Sequence, residues 1–94
     1  MDTTIAVRLM IRGRVQGVGY RWWARTQALR LNLDGWVRNR ADGSVELLAA
    51  GRPEAIDQLI ALCRRGPPAA AVSSLERYDG AIPPGHGFEE RPTH

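Results

Sequence analysis

Residues 5–31 read IAVRLMIRGRVQGVGYRWWARTQALRL, and the apolar periodicity of this stretch changes once along its length. From Ile5 to Arg12 apolar and polar side chains alternate, which predicts a half-buried strand. From Tyr20 to Leu31 the apolar side chains recur at helical spacing. The apolar face of this helix consists of Tyr20, Trp23, Ala24, Ala28 and Leu31. The stretch therefore predicts a strand, a glycine-rich loop and a helix, and Asn32 is suited to the left-handed residue that ends such a helix.

The next segments predict a hairpin and a second helix. Residues 34–39 and 44–50 have strand patterns and flank Asp42-Gly43, a dipeptide suited to the positive φ angles of a hairpin turn. Pro53 favours the first turn of a helix that ends before Gly66-Pro67. The apolar stripe of this helix consists of Ile56, Leu59, Ile60 and Cys63. At such a position we expect the cysteine to be a small buried hydrophobe and not a nucleophile.

The last predicted strand, residues 71–78, has a weaker pattern. Val72 and Leu75 break the alternation, which predicts an edge position or a bulge. The tail that follows, GAIPPGHGFEERPTH, is rich in glycine and proline and predicts mostly loop. The order strand, helix, strand, strand, helix, strand favours two right-handed split βαβ crossovers. We therefore predict an α+β fold, the ferredoxin-like βαββαβ sandwich, with an antiparallel sheet and two helices on one face.

Length and composition predict one small domain over residues 1–94. All 13 basic residues are arginines, against 10 acidic ones, and the net charge of +3 points to an anionic ligand. No apolar run approaches the roughly 20 residues that span a bilayer. The N-terminus begins acidic and passes directly into a strand pattern, so we expect no signal peptide, no membrane contact and a cytoplasmic monomer. The single cysteine, Cys63, fits a reducing compartment.

The glycine-rich loop has the composition of an anion site. Gly13, Gly17 and Gly19 can turn several backbone N–H groups toward one point, where the N-terminus of the helix adds its partial positive charge. Arg21, in the first turn, can add a planar set of donors. The order GxxxGxG is neither the dinucleotide GxGxxG nor a nucleotide P-loop, which predicts phosphate without nucleotide. The same glycines could also form only a tight strand-to-helix turn.

Two long motifs carry a resemblance to a known family. GRVQGVGYR at residues 13–21 and GWVRNRADGSVE at residues 35–46 resemble the paired signatures of the acylphosphatases. The match continues in register through ARTQALRLNLDGWVRN to GPPAAAV at residues 66–72, and covers about residues 5–78. The resemblance implies the ferredoxin-like sandwich. It also implies hydrolysis of acyl phosphates such as acetyl phosphate, with neither a metal nor another cofactor.

The resemblance also implies roles for particular residues. The phosphate-binding loop corresponds to Val15, Gln16, Gly17, Val18, Gly19 and Tyr20. The phosphate-binding arginine corresponds to Arg21, and the asparagine that orients the attacking water corresponds to Asn39. The resemblance weakens after Phe88, where Glu89, Glu90, Arg91 and Pro92 stand in place of a partly apolar final strand. The sequence therefore leaves open whether the tail forms the last edge strand.

The residues fit this chemistry because an acyl phosphate releases a carboxylate with a pKa of about 4, which needs no general acid. The catalytic region has no histidine, no paired carboxylates and no metal-ligand cluster, and we do not expect His86 or His94 in the tail to be catalytic. Trp22 either lies near the acyl end of the substrate or simply packs at the surface. Three arginines flank the motifs and either steer anions or are only solvated: Arg14, Arg38 and Arg40.

Two other functions remain in view. Some sandwiches of this topology bind single-stranded RNA by stacking bases on sheet aromatics, but here only Trp36 could serve as a platform, so we expect no nucleic-acid partner. The second alternative is a phosphate-sensing or carbamoyl-phosphate-handling domain of the kind fused to larger enzymes. The chain ends at His94 with no partner domain, which disfavours that alternative. Turnover of a small acyl phosphate separates both from the enzyme.

Overall fold

A computed structural model describes residues 3–94 and contains two helices on one five-stranded sheet. The elements are β1 (Ile5–Arg14), α1 (Tyr20–Arg30), β2 (Asp34–Asn39), β3 (Val45–Gly51), α2 (Pro53–Arg65), β4 (Ala71–Asp79) and β5 (Phe88–Arg91). The strand order is β4-β1-β3-β2-β5, with β1 and β3 antiparallel at the centre. The predicted α+β sandwich and its first six elements are confirmed. Among residues 3–94, no helix is long and apolar enough to cross a membrane.

The tail corrects one part of the prediction. Residues 88–91 form β5, which pairs with β2 in parallel and places Phe88 opposite Gly35. The sheet is therefore mixed, and the prediction of an antiparallel sheet is wrong at this edge, whereas the rest of the tail, residues 80–87 and 92–94, is loop as predicted. Phe88 is the only residue of β5 that is buried, at 3% exposure, and the three charged residues after it occupy an outer strand where water covers their side chains. With one apolar residue in four, β5 is too short to show the alternation of apolar and polar residues by which a strand is predicted.

The core lies between the sheet and the helices. Alternate residues of the two central strands face it, and so do the apolar stripes of the helices: Val7, Leu9, Ile11, Val45, Leu47, Ala49, Tyr20, Ala24, Ala28, Ile56, Leu59 and Cys63. Each large side chain buried there contributes about 1.5–3 kcal/mol. Cys63 is fully buried, as expected, and this burial raises the pKa of its thiol to about 12, although contact with Tyr20 lowers it slightly.

The connections between elements follow the turn chemistry of their residues. Asn32 has a φ of 57°, which confirms the left-handed residue predicted after α1. Asp42 accepts hydrogen bonds from the backbone N–H of Ser44 at 2.9 Å and from its hydroxyl at 2.6 Å, and it orders the β2–β3 turn in this way. Strand β4 lies at the outer edge, and its pairing with β1 shifts register between Arg12 and Gly13. The predictions of an edge position and of a bulge are therefore both confirmed.

Candidate functional site

A small cavity of about 140 Å³ lies where the glycine-rich loop meets the start of α1, the end of β2 and the outer strand β5. We call it the loop cavity. Its lining residues are Val15, Gly17, Gly19, Tyr20, Arg21, Trp22, Asn39 and Glu90. The structure thus brings four of the six predicted loop residues together with Arg21 and Asn39, which come from different elements.

The loop backbone adopts conformations that favour glycine. Gly17 and Gly19 have φ angles of 73° and 76°, in the left-handed region, and no atom lies within 4 Å of a Cβ built on either residue. Since there is space for a side chain at both positions, the preference for glycine comes from the left-handed backbone and not from crowding. Within residues 3–94, no protein acceptor is bonded to the backbone N–H groups from Gln16 to Trp22. These donors and the positive end of α1 form an electropositive loop without any lysine.

Gln16 and Val18 do not line the cavity, although the resemblance assigns them to the phosphate-binding loop. The side-chain amide of Gln16 donates to the carbonyl oxygens of Arg40 at 2.8 Å and Ser44 at 2.9 Å. It thereby attaches the loop to the turn between β2 and β3. Val18 is half-buried and packs against the core. The side chains of both residues hold the loop in position, and the backbone between them faces the cavity.

Tyr20 fixes the beginning of α1. Its side chain is 2% exposed, and its hydroxyl donates to the carbonyl oxygen of Cys63 in α2 at 2.6 Å. Burial, and then the contact with Cys63, raise the pKa of this hydroxyl far above its usual range, so it remains protonated. The ring also contacts Trp23 edge-on, with centroids 5.5 Å apart. The first turn of α1, and with it Arg21, is therefore anchored to α2.

The C-terminal tail lies beside Arg21 and Asn39, the two residues to which the resemblance assigns catalytic roles. Arg21 donates from Nη1 to the carbonyl oxygen of Arg91 in β5 at 3.3 Å. The carbonyl oxygen of Asn39 accepts from the N–H of His94 at 3.0 Å, and the N–H of Ala41 donates to the carbonyl of His94 at 3.3 Å. The backbone of the tail thus continues beside β2 up to the cavity.

Sequence reasoning missed one residue of the cavity, Glu90. It lies two positions after Phe88, so it shares the helix side of β5 with that anchor. The sequence indicates that Glu90 faces the helices only if residues 88–91 are recognised as a strand. Trp22 also lines the cavity, and its side chain is 63% exposed.

The arginines that flank the motifs lie elsewhere. Arg38 and Arg40 donate to the same carboxylate oxygen of Glu46, at 2.8 and 3.1 Å, and Arg8 donates to the other oxygen at 3.2 Å. Glu46 is 6% exposed on the sheet face away from the helices. Burial alone would raise the pKa of its carboxyl, but the hydrogen bond from Arg38 and the charges of the three arginines lower it. Arg38 and Arg40 therefore organise the open sheet face, and neither they nor Arg14 line the loop cavity.

Two further residues singled out from the sequence also lie outside the cavity. The imidazole Nδ1 of His86 is exposed and 3.3 Å from a carboxylate oxygen of Asp34. The ring of Trp36, the candidate platform for a nucleic-acid base, has the guanidinium groups of Arg38 and Arg91 over it at 4.7 and 4.9 Å. The ring is thus already stacked by cations of this chain.

Comparison with known proteins agrees with this arrangement. The sequence profile of the acylphosphatase family matches residues 7–90. An acylphosphatase of Azoarcus sp. strain BH72 is 54% identical over 93 residues, which cover 98% of this chain and 95% of that protein. Solved acylphosphatases of Coxiella burnetii and Bacillus subtilis superpose with TM-scores of 0.89 and 0.87, at 35% and 33% identity. They cover 94% and 95% of this chain, and 93% and 99% of their own. The chain belongs to the acylphosphatase family.

Proposed function

We propose that the loop cavity is where this chain hydrolyses acyl phosphates, the activity of the family to which it belongs. In the proposed reaction a water oxygen attacks phosphorus and the bond from phosphorus to the carboxylate oxygen breaks. The products are a carboxylate and inorganic phosphate, and one proton of the water passes to phosphate or solvent. The observation that carries the proposal is the meeting of the open loop amides with Arg21 and Asn39 around one small cavity.

The loop from Val15 to Tyr20 is proposed to hold the phosphoryl oxygens. Its backbone donors face no competing protein acceptor among residues 3–94, so they can bind the anion without first losing an internal hydrogen bond. In a loose phosphoryl-transfer transition state, charge spreads over the equatorial oxygens. Donors already oriented toward those oxygens lower the barrier, and removal of one such donor typically slows a reaction by about 10²–10³.

Arg21 is proposed to close the site with charge-assisted hydrogen bonds. Each such bond to a phosphate contributes about 1.5–3 kcal/mol. The guanidinium already has one fixed contact, to the carbonyl of Arg91, which restricts its orientation at the cavity. A planar group held in this way retains free N–H donors for the phosphoryl oxygens. We therefore assign Arg21 both to ground-state binding and to stabilisation of the transition state.

Asn39 is proposed to orient the attacking water. Its side-chain carbonyl can accept a hydrogen bond from water and its amide can donate one, which positions the nucleophile without removing its proton. The end of β2 lies between β3 and β5, and the backbone of Asn39 is held by His94 as well as by the ladder with Val45. This support limits movement of its side chain relative to the loop. An activated anhydride needs no stronger base, because the leaving carboxylate is already stable.

Release of phosphate from acetyl phosphate in the presence of a chelator tests the proposal. We expect turnover by the unaltered chain, with kcat/KM reduced about 10²–10³-fold in Arg21→Ala and in Asn39→Ala. The matched control is Arg30→Ala, which removes an exposed arginine from the opposite end of the same helix and leaves turnover within about two-fold. Chelator-sensitive turnover would overturn the metal-independent mechanism, and undiminished turnover in either site variant would remove that residue from it.

The remaining parts of the proposal concern the setting of the reaction. We propose one catalytic domain over residues 1–94, acting as a cytoplasmic monomer on a small-molecule substrate and without a nucleic-acid partner. The buried free thiol of Cys63 supports a reducing compartment. The arginine-covered ring of Trp36 supports the absence of base stacking. Sedimentation of the protein alone and with a single-stranded RNA oligomer tests both the monomer and the missing partner.

A further inference from the structure

We propose that Glu90 determines which acyl phosphates the loop cavity accepts, and that it disfavours substrates whose acyl group is negatively charged. This inference rests on the proposed function of the cavity. Two charged side chains line the cavity, Arg21 and Glu90, and they have opposite signs. A carboxylate is an unexpected group beside a site for a phosphoryl dianion, because it weakens binding of every anion to some extent. The role assigned to this carboxylate is selection among acyl phosphates by the charge of the acyl group.

The geometry of β5 directs Glu90 to the cavity. Successive residues of a strand point to opposite faces, and buried Phe88 fixes which face is which. Glu90 shares the side of Phe88, where α1 begins. Glu89 and Arg91 lie on the other side, where the guanidinium of Arg91 stacks on Trp36 and lies 3.4 Å from the carboxylate of Glu89. The two adjacent glutamates of this strand therefore differ in face and in surroundings.

The charge of Glu90 is not neutralised by a neighbour. Among residues 3–94, its carboxylate has no hydrogen-bond or ion-pair partner. Arg21, which also lines the cavity, donates instead to the carbonyl oxygen of Arg91, and Arg25 donates to the carbonyl oxygen of Phe88 at 2.9 Å. Glu89, in contrast, is paired with Arg91. An unpaired carboxylate at the opening of a cavity acts on the charge of whatever enters it.

The acyl group has to pass this carboxylate. With the phosphoryl group bound by the loop amides and Arg21, the acyl group extends toward the exposed residues of the lining, which are Trp22 and Glu90 among its larger side chains. The Trp22 ring offers an apolar surface to an uncharged acyl group. A second negative charge on the acyl group meets the field of Glu90. The inferred substrate class is therefore acyl phosphates with uncharged or cationic acyl groups.

A pair of substrates of the same shape tests the inference. Benzoyl phosphate and 4-carboxybenzoyl phosphate differ by one remote carboxylate, which cannot attack its own anhydride. The measured quantity is the ratio of their kcat/KM values at low salt, with uncatalysed hydrolysis subtracted. We expect Glu90→Gln to reduce the preference for the benzoyl substrate roughly 3- to 10-fold, and Glu90→Lys to reduce it further. Added salt at ~0.5 M should diminish the difference between variants.

Glu89→Gln is the matched control, since it removes the same charge from the adjacent residue on the opposite face. We expect the ratio of the two kcat/KM values in Glu89→Gln to equal that of the unaltered chain. The preference depends on a carboxylate beside the cavity and not on the net charge of the protein. An unchanged ratio in Glu90→Gln, or an equal change in Glu89→Gln, would overturn this inference alone while turnover persists. Failure of the unaltered chain to hydrolyse either compound would overturn the proposed function as well.

Discussion

The guanidinium of Arg21, at the start of α1, donates to the main-chain carbonyl oxygen of Arg91 in β5 at 3.3 Å. Seventy positions separate these residues along the chain. The acceptor is backbone, so the contact requires β5 to be in place but does not require any particular side chain at position 91. The resemblance is weakest in this tail, and yet the tail supplies a neighbour for the arginine on which the proposed chemistry depends.

The first prediction tests whether Arg21 depends on the backbone of β5 and not on the side chain of Arg91. Phe88→Ala removes the one buried side chain of β5, and we expect a loss of about 3–5 kcal/mol in the free energy of unfolding. Turnover of the remaining folded protein should also fall, because Arg21 loses its acceptor. Urea unfolding and acetyl phosphate kinetics measure the two effects.

Arg91→Ala is the control for that change. It keeps the carbonyl oxygen that Arg21 uses, so we expect turnover within about two-fold of the unaltered chain and a small change in stability. A large loss of turnover in Arg91→Ala, or none in Phe88→Ala, would contradict the importance of the main-chain contact.

The second prediction concerns the left-handed residue before α1. Gly19→Ala introduces no steric contact, so its cost comes from the positive φ alone, about 1–2 kcal/mol. We expect this loss in unfolding free energy and a fall in kcat/KM as the loop amides turn away. Asparagine tolerates this backbone region better than alanine, so Gly19→Asn should recover part of both losses. Equal behaviour of the two variants would show that φ does not control the loop.

The third prediction concerns the attachment of the loop to the β2–β3 turn. Gln16→Ala removes the side-chain hydrogen bonds to the carbonyl oxygens of Arg40 and Ser44, which keep the backbone N–H donors of Gly43 and Arg40. We expect a stability loss of about 0.5–1.5 kcal/mol for each bond lost. Turnover should fall although the side chain does not line the cavity. Gln16→Glu should be worse, because a carboxylate cannot donate to two carbonyls. Gln58→Ala, on the exposed side of α2, is the control and should change stability by less than about 0.5 kcal/mol.

The fourth prediction concerns acid stability. Hydrogen bonds from the Ser44 hydroxyl and N–H, and then the interaction with Arg12, lower the pKa of Asp42 from 3.8 to about 2. A depressed pKa in the folded state stabilises the fold above the unfolded value, and this contribution disappears as the pH falls from about 4 toward 2. Asp42→Asn should therefore lose less stability than the unaltered chain over that range. Urea midpoints at several pH values measure the difference, and parallel curves would contradict it.

The sequence predicts the fold well where periodicity is long. The alternation of β1 and the helical face of α1 identify the strands and helices that build the core, and their order identifies the sandwich. Strand β5 could not be predicted in this way, because one phenylalanine followed by three charged residues has no detectable period. Its place depends on the pairing of Phe88 with Gly35, a contact between distant segments.

The candidate site was predictable to the same extent. The glycine spacing and the family resemblance identify the loop, Arg21 and Asn39, whereas local pattern cannot show that Gln16 points to the hairpin or that Arg38 and Arg40 bind Glu46. Those partners lie on neighbouring strands and become visible only with the register of β2 and β3. The position of Glu90 beside the cavity likewise becomes visible only with the pairing of β5 and β2.

The parallel pairing of β5 with β2 has a kinetic consequence. It joins a four-residue strand that buries only Phe88, so docking of β5 gains little apolar burial to offset the entropy of ordering the tail. The pairing of β1 with β4 closes an even longer segment but forms a longer ladder. Strands β1 to β4 can pair before residues 88–94 are engaged, so we expect a refolding phase in which the core has formed while catalytic competence still rises. Stopped-flow fluorescence followed by delayed addition of substrate would resolve the two events, and β5 would be the last segment to dock.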